Sequence, residues 1–149
     1  MSAHSFGVRV YYEDTDAGGV VYFANYLRFM ERARTEWLRQ LGYGQSALRE
    51  QQGILFVVRS VDAVYHRPAR LDDALTVQSR LTALSRLALR FEQSVERDGE
   101  TLASGGSDVI CVGATSLRPC RMPLPLVRVL EAVLDDAGAA GLTLPSPVV

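Results

Sequence analysis

Only one stretch of this chain holds a helical period for long, and everything after it alternates. From Asn25 to Leu41 the apolar residues Tyr26, Phe29, Met30, Ala33, Trp37 and Leu41 recur at helical spacing and form one stripe. At 1.5 Å per residue such a helix is ~26 Å long. Gly42 stands where a helix of this length would stop. Arg32 and Glu36, four residues apart, can pair on its other face. Before it, Phe6–Tyr12 alternates as one strand. After a short helical piece at Gln45–Gln51 come four segments of strand character: Ile54–Tyr65, Leu75–Leu84, Leu87–Val95 and Thr101–Val112.

Five antiparallel strands with one apolar face need a cover, and a single long helix must supply it. The fold class is therefore α+β, with the sheet wrapped around the Asn25–Leu41 helix. Asp98-Gly99 reads as a two-residue hairpin turn, and Gly105-Gly106 as a bulge in the last strand. Leu126–Ala137 reads as a terminal amphipathic helix. Residues 1–5, His4 among them, and 138–149 read as flexible ends of a single domain over 1–149. The run Ile54–Val58 is apolar on both sides, so an edge or outer face is expected to be covered by a second copy, giving a homodimer and from it a homotetramer.

Composition narrows the chemistry. The net charge is −1 and all sixteen basic residues are arginine, so no global basic field argues for nucleic acid. The two cysteines, Cys111 and Cys120, lack metal-ligand spacing and point to a reducing compartment. The start, "MSAHSFG", has no apolar run, and no stretch is long enough to span a membrane. A cytoplasmic location is expected. No metal-binding, phosphate-loop or serine-hydrolase motif is present. His66, beside Pro68, is expected to be structural, and so are Arg59, Arg67 and Arg70.

The chemistry concentrates in "YYEDTDAGGVVYFANY", Tyr11–Tyr26. Gly18 and Gly19 permit positive φ and close approach of backbone to a ligand. The helix start that follows presents N–H groups that favour negative charge. A carboxylate and an oxyanion site in one turn are what acyl transfer needs. From spacing alone, Asp14 or Asp16 could equally be a turn-forming residue, with the glycines serving the turn.

The segment Val8–Gly42, "VRVYYEDTDAGGVVYFANYLRFMERARTEWLRQLG", closely resembles the opening of the hotdog-fold thioesterases of the 4-hydroxybenzoyl-CoA thioesterase type. Within them it is most similar to the Tol-Pal-associated (YbgC-type) acyl-CoA thioesterases. Asp14, Asp16, Gly19, Val20, Val21, Tyr22, Asn25 and Tyr26 match their signature. The similarity continues through "FVVRSVDAVYHRPARLDD", Phe56–Asp73. The resemblance implies a hotdog fold and acyl-CoA hydrolysis with no cofactor beyond the substrate's own coenzyme A. It implies Asp16 as nucleophile or general base, and the Phe23 backbone amide as the group polarising the thioester carbonyl. Many relatives carry histidine at the Phe23 position, an exchange that keeps the amide and loses any side-chain proton transfer.

Gly19, Tyr22 and Tyr26 are expected to contact substrate, the aromatic rings lining an acyl pocket. Arg86 is placed by the resemblance near the coenzyme A nucleotide. The resemblance implies active sites at a dimer interface and leaves room for an acyl carrier protein or lipid-synthesis enzymes as partners. Two rivals share the fold: hydration of an unsaturated acyl thioester, which calls for an Asp/His pair, and an acyl-binding module without efficient turnover.

Overall fold

A computed structural model describes residues 4–134. Five strands form one antiparallel sheet: β1 (His4–Arg9), β2 (Ile54–Tyr65), β3 (Ala74–Leu84), β4 (Ala88–Arg97) and β5 (Glu100–Gly113), in the order β1-β3-β4-β5-β2. The long helix α1 (Ala24–Gln40) packs on one face of this sheet, against β1, β3 and β4. A short helix, α2 (Gln45–Ala47), continues as a wide turn over Leu48–Gln52, and α3 (Leu124–Val133) closes the described chain.

The helix forms where its stripe demands. Tyr26, Phe29, Met30, Ala33, Trp37 and Leu38 are buried along one side. Burying a side chain the size of Phe29, which is 0% exposed, is worth ~2–3 kcal/mol. The helix ends as expected: Gly42 takes φ 92°, and the Tyr43 amide returns to the Leu38 carbonyl at 2.9 Å. Leu38, rather than Leu41, completes the buried stripe. Glu36 pairs with Arg39 instead of Arg32, whose guanidinium lies 5.9 Å from the centre of the Phe29 ring.

Sheet alternation is kept by β4, where Leu89, Phe91, Gln93 and Val95 face inward. The hairpin at Asp98-Gly99 has φ 52° and 80°, the two positive values of a type I′ turn. Three expectations are corrected. His4 and Ser5 are not a flexible end: they pair with Ser79 and Gln78 in β1. The first strand stops at Arg9, because Tyr12–Asp14 turns as a 3-10 helix.

Nor do Gly105 and Gly106 form a bulge; they pair in regular register, and register shifts occur at Val58/Ser60, Leu81/Ala83 and Val95/Glu96. The glycines serve close approach. A Cβ on Gly105 would strike the Asp62 carbonyl, and one on Gly106 would strike the Arg90 guanidinium. That guanidinium bonds Glu92 at 2.7 Å, Asp62 at 3.1 Å and Asp108 at 3.2 Å. The expected terminal helix begins two residues early, at Leu124, and its expected end at Ala137 lies outside the described residues, as does the expected flexible tail 138–149.

Candidate active site

The turn between β1 and α1 separates its two aspartates by function. Asp14 is structural. Its Oδ2 accepts the Tyr11 amide at 2.8 Å, and its carbonyl accepts the Tyr22 amide at 3.0 Å and the Asn25 side-chain amide at 2.9 Å. Asn25, 9% exposed, thereby ties the 3-10 turn to the first turn of α1.

Asp16 is exposed. Its Oδ1 accepts the Gly18 amide at 2.8 Å, the turn-forming contact that spacing alone allowed. Its Oδ2 has no hydrogen-bond partner among the described residues. The backbone closes tightly around it: the Gly19 amide donates to the Asp16 carbonyl at 3.0 Å, and the Asp16 amide to the Val20 carbonyl at 2.9 Å. Gly19 takes φ +79°, which an L side chain rarely adopts, and an added Cβ there would meet nothing within 4 Å. Gly19 is therefore required by backbone conformation, not by crowding.

The segment Arg67–Asp73 straps this turn in place. Val20 bridges Arg70, and the Val21 amide donates to the Ala69 carbonyl at 2.8 Å. Asp73 accepts the Arg70 amide and the Arg97 guanidinium, each at 2.8 Å. Burial pushes the Asp73 carboxyl up, but these donors outweigh it and hold it below its ordinary value. Tyr26 completes the strap: its hydroxyl oxygen accepts the Ala69 amide at 2.9 Å, and burial raises that phenol above its ordinary range.

Phe23 is the N-cap of α1, with φ −56° and ψ −33°. The Asn25 and Tyr26 amides of the first turn already bond the Tyr22 and Phe23 carbonyls. No acceptor among the described residues takes the amides of Phe23 or Ala24. No side chain caps the helix, and no acidic residue lies in its first turn. The start of α1 thus offers open N–H donors and an uncompensated positive dipole end.

Around this start, the Phe23 ring is 56% exposed and lies 4.8 Å from Tyr22 and 5.8 Å from Tyr65 between ring centres. Tyr65 also approaches Tyr26 at 5.5 Å. Tyr26 itself is 3% exposed, so in the single chain it supports this cluster from the core. Tyr65 was not singled out as a site residue by sequence; the only signal was its place at the end of the apolar run that became β2.

Arg86 is not brought to this turn within one chain. Its Nε and Nη2 donate to the Met122 carbonyl at 3.2 and 2.8 Å, and the Met122 amide returns to the Arg86 carbonyl at 2.8 Å. It sits beyond the far end of β3 from Arg70, roughly 33 Å away at strand rise. His66 donates to or accepts from Ser104 at 3.0 Å, and Arg67 pairs with Glu100 at 2.9 Å. The two thiols stand 3.8 Å apart, and burial, with Cys120 beside it, pushes Cys111 up to about 12. No helix among the described residues is long and apolar enough to cross a membrane.

Known proteins place these features in a family. The thioesterase-like superfamily model matches residues 10–135. The acyl-CoA thioesterase YbgC of Haemophilus influenzae is 45% identical over 119 residues, covering 80% of this chain and 88% of its own. The acyl-CoA thioester hydrolase YbgC of Escherichia coli O6:H1 is 45% identical over 121 residues, covering 80% and 90%. The crystal structure of a probable thioesterase from Bartonella henselae superposes with TM-score 0.79 at 34% identity, covering 82% of this chain and all of that one.

Proposed function

The chain belongs to the thioesterase-like superfamily, with the hotdog arrangement of sheet and helix, and we propose that it hydrolyses acyl-CoA thioesters to the free acid and coenzyme A. The observation that carries this reading is local. An exposed carboxylate with one unengaged oxygen and a helix start with an unbonded Phe23 amide belong to one strapped turn. The thioester carbonyl oxygen docks on that amide, which stabilises the negative charge developing on it. Asp16 then opens the reaction, either by attacking the carbonyl carbon or by taking a proton from an attacking water. In both routes the C–S bond breaks and coenzyme A leaves as the thiol.

Asp14 cannot take this part, because its carboxylate is spent on the Tyr11 amide. The hydration rival loses support, since the only histidine near the strap, His66, is engaged with Ser104. The exposed rings of Tyr22, Phe23 and Tyr65 supply apolar surface beside the docking amide for the acyl group.

A second copy completes the assembly in this reading. β2 is a twelve-residue edge strand, and Val57, Val58, Val61 and Val64 stand exposed on it. An apolar edge of that length is a template for pairing. Pairing on it would also bring a second chain to the Phe23–Tyr65 cluster at its end.

The test is thiol release from a panel of short, long and aromatic acyl-CoA esters, with Asp16→Asn and Asp14→Asn compared. Turnover by the wild type that Asp16→Asn loses supports the reading; turnover that survives it refutes the assignment. Single-turnover hydrolysis in ¹⁸O-labelled water separates the two routes: label enters Asp16 only if Asp16 is the nucleophile.

A further inference from the structure

One polar side chain interrupts the apolar inner face of β4. Gln93 lies between Phe91 and Val95 and is 6% exposed. Its amide nitrogen donates to the Met30 carbonyl and to Ser79 Oγ, each at 2.9 Å. A carbonyl only accepts, so this pairing fixes which way the amide points. Its oxygen accordingly faces Arg34 and accepts from Nη1 at 2.9 Å. Through Gln93 the sheet clamps the middle of α1 and holds one guanidinium in a set position.

Arg34 is only partly satisfied there. A guanidinium carries five N–H donors, and among the described residues Gln93 is its sole hydrogen-bond partner. No carboxylate forms an ion pair with it. Glu31, one turn earlier, lines the same space and acts on Arg34 at a distance only. Burial pulls the guanidinium below its ordinary range, with the Glu31 charge acting the other way. A partly desolvated cation with free donors is unfavourable until an anion meets it.

The space beside it is shaped for such an anion. A cavity of about 240 Å³ opens between α1 and the sheet, walled by Leu38, Phe56, Val57, Leu89, Phe91 and Val109. An apolar cavity of roughly 150 Å³ suffices for a benzene ring, so this one has room for a hydrocarbon body of about six to eight carbons. Arg34 lies eleven residues beyond Phe23, ~16 Å along the helix axis. The cavity is therefore separate from the carbonyl-docking amide of the same chain.

We propose that this cavity binds the carboxylate of a medium-chain organic acid, with Arg34 as its cation and the apolar wall holding its hydrocarbon body. The planar guanidinium matches a carboxylate in two-point geometry, which a lysine would not. Binding stands on this geometry alone. That the acid is of the class released by thioester hydrolysis rests on the function proposed above.

Trp37, the single tryptophan, packs edge-on against Phe91 at 5.1 Å and so reports on the cavity wall. Its emission is followed while the full-length protein is titrated with octanoate, octanol and octyltrimethylammonium. Octanoate is expected to saturate, with octanol at least tenfold weaker and the cation without effect. Arg34→Gln is expected to bring octanoate down to the level of octanol, and Arg34→Lys to retain part of the difference. Octanoate binding no tighter than octanol, or binding unchanged in Arg34→Gln, overturns the proposal. If Arg34→Gln fails to fold by circular dichroism, the wild-type comparison of the three ligands decides alone. No thioester enters the measurement, so its failure is distinct from failure of the hydrolase reading.

Discussion

Asp16 accepts the Gly18 amide at 2.8 Å through one carboxylate oxygen and leaves the other without a partner, so the same side chain shapes the turn and keeps a reactive end. Asparagine preserves the acceptor that the turn needs and removes the charge. Asp16→Asn is therefore expected to melt close to wild type and to lose ~10²–10⁴-fold in kcat, the range for a positioned base or nucleophile. Asp14→Ala should show the reverse emphasis. It strips the Tyr11 amide of its acceptor and is expected to cost ~1–2 kcal/mol of stability. Paired thermal melts and thiol-release assays check both; a fully active Asp16→Asn sinks the assignment.

The Phe23 amide can be tested without touching a side-chain acid or base. Its φ of −56° lies within the range that proline enforces, and its N–H has no partner to lose. Phe23→Pro is expected to fold, yet to lose ~10²–10³-fold in kcat with the loss of a carbonyl-docking donor. Phe23→His keeps the amide and is expected to stay within about tenfold, less than the ~10²–10⁴ a general acid or base contributes. A hundredfold gain with a new pH limb near neutrality would show instead that a side-chain proton donor belongs at this position.

The edge strand gives an independent prediction. Val58 and Val61 are each 47% exposed on β2. A charge there opposes edge pairing. Val61→Arg is expected to shift the light-scattering mass to that of one chain and to reduce turnover with it. A monomeric variant with undiminished activity would remove the second copy from the functional unit.

Arg86 ties the connector after β5 to the β3–β4 turn through the Met122 carbonyl. Hydrogen bonds from charged groups contribute ~1.5–3 kcal/mol. Arg86→Ala is expected to lower stability by about that amount in urea unfolding. An unchanged midpoint would show that this contact is idle and would return Arg86 to consideration as a nucleotide ligand, testable by comparing KM for acyl-CoA and acyl-pantetheine.

The strap should reveal itself in pH dependence. Asp73 is held below the ordinary carboxylate value of ~3.9. A depressed folded-state pKa contributes stability that is fully present above the unfolded value and is lost as pH falls through the folded one. Asp73→Asn is thus expected to cost ~1 kcal/mol at pH 7, a modest figure for a partly exposed pair. The gap between variant and wild type should close below about pH 4. A gap independent of pH would mean that the Arg97 and Arg70 contacts to Asp73 do not depend on its charge.

Much of this was written into local sequence. Period decided α1, alternation decided β2 to β5, and Gly42 and Asp98-Gly99 acted through φ values that neighbouring residues alone determine. The reactive turn was legible because its parts are adjacent in the chain: a carboxylate, two glycines and a helix start. What local sequence could not decide depends on partners distant in the chain. Gly105 and Gly106 looked like a bulge because glycine reads the same whether it bends a strand or clears space, and only the packed Asp62 carbonyl and Arg90 guanidinium tell which. Asp14 and Asp16 were equivalent as letters until Tyr11, Tyr22 and Asn25 closed around one of them. Arg86 found Met122, Tyr65 joined Phe23, and Gln93 reached Arg34 across 59 residues. Side-chain hydrogen bonds and ring contacts of that span arise only when the sheet closes on the helix. Their geometry is therefore a property of the tertiary structure, which neighbouring residues in the sequence do not encode.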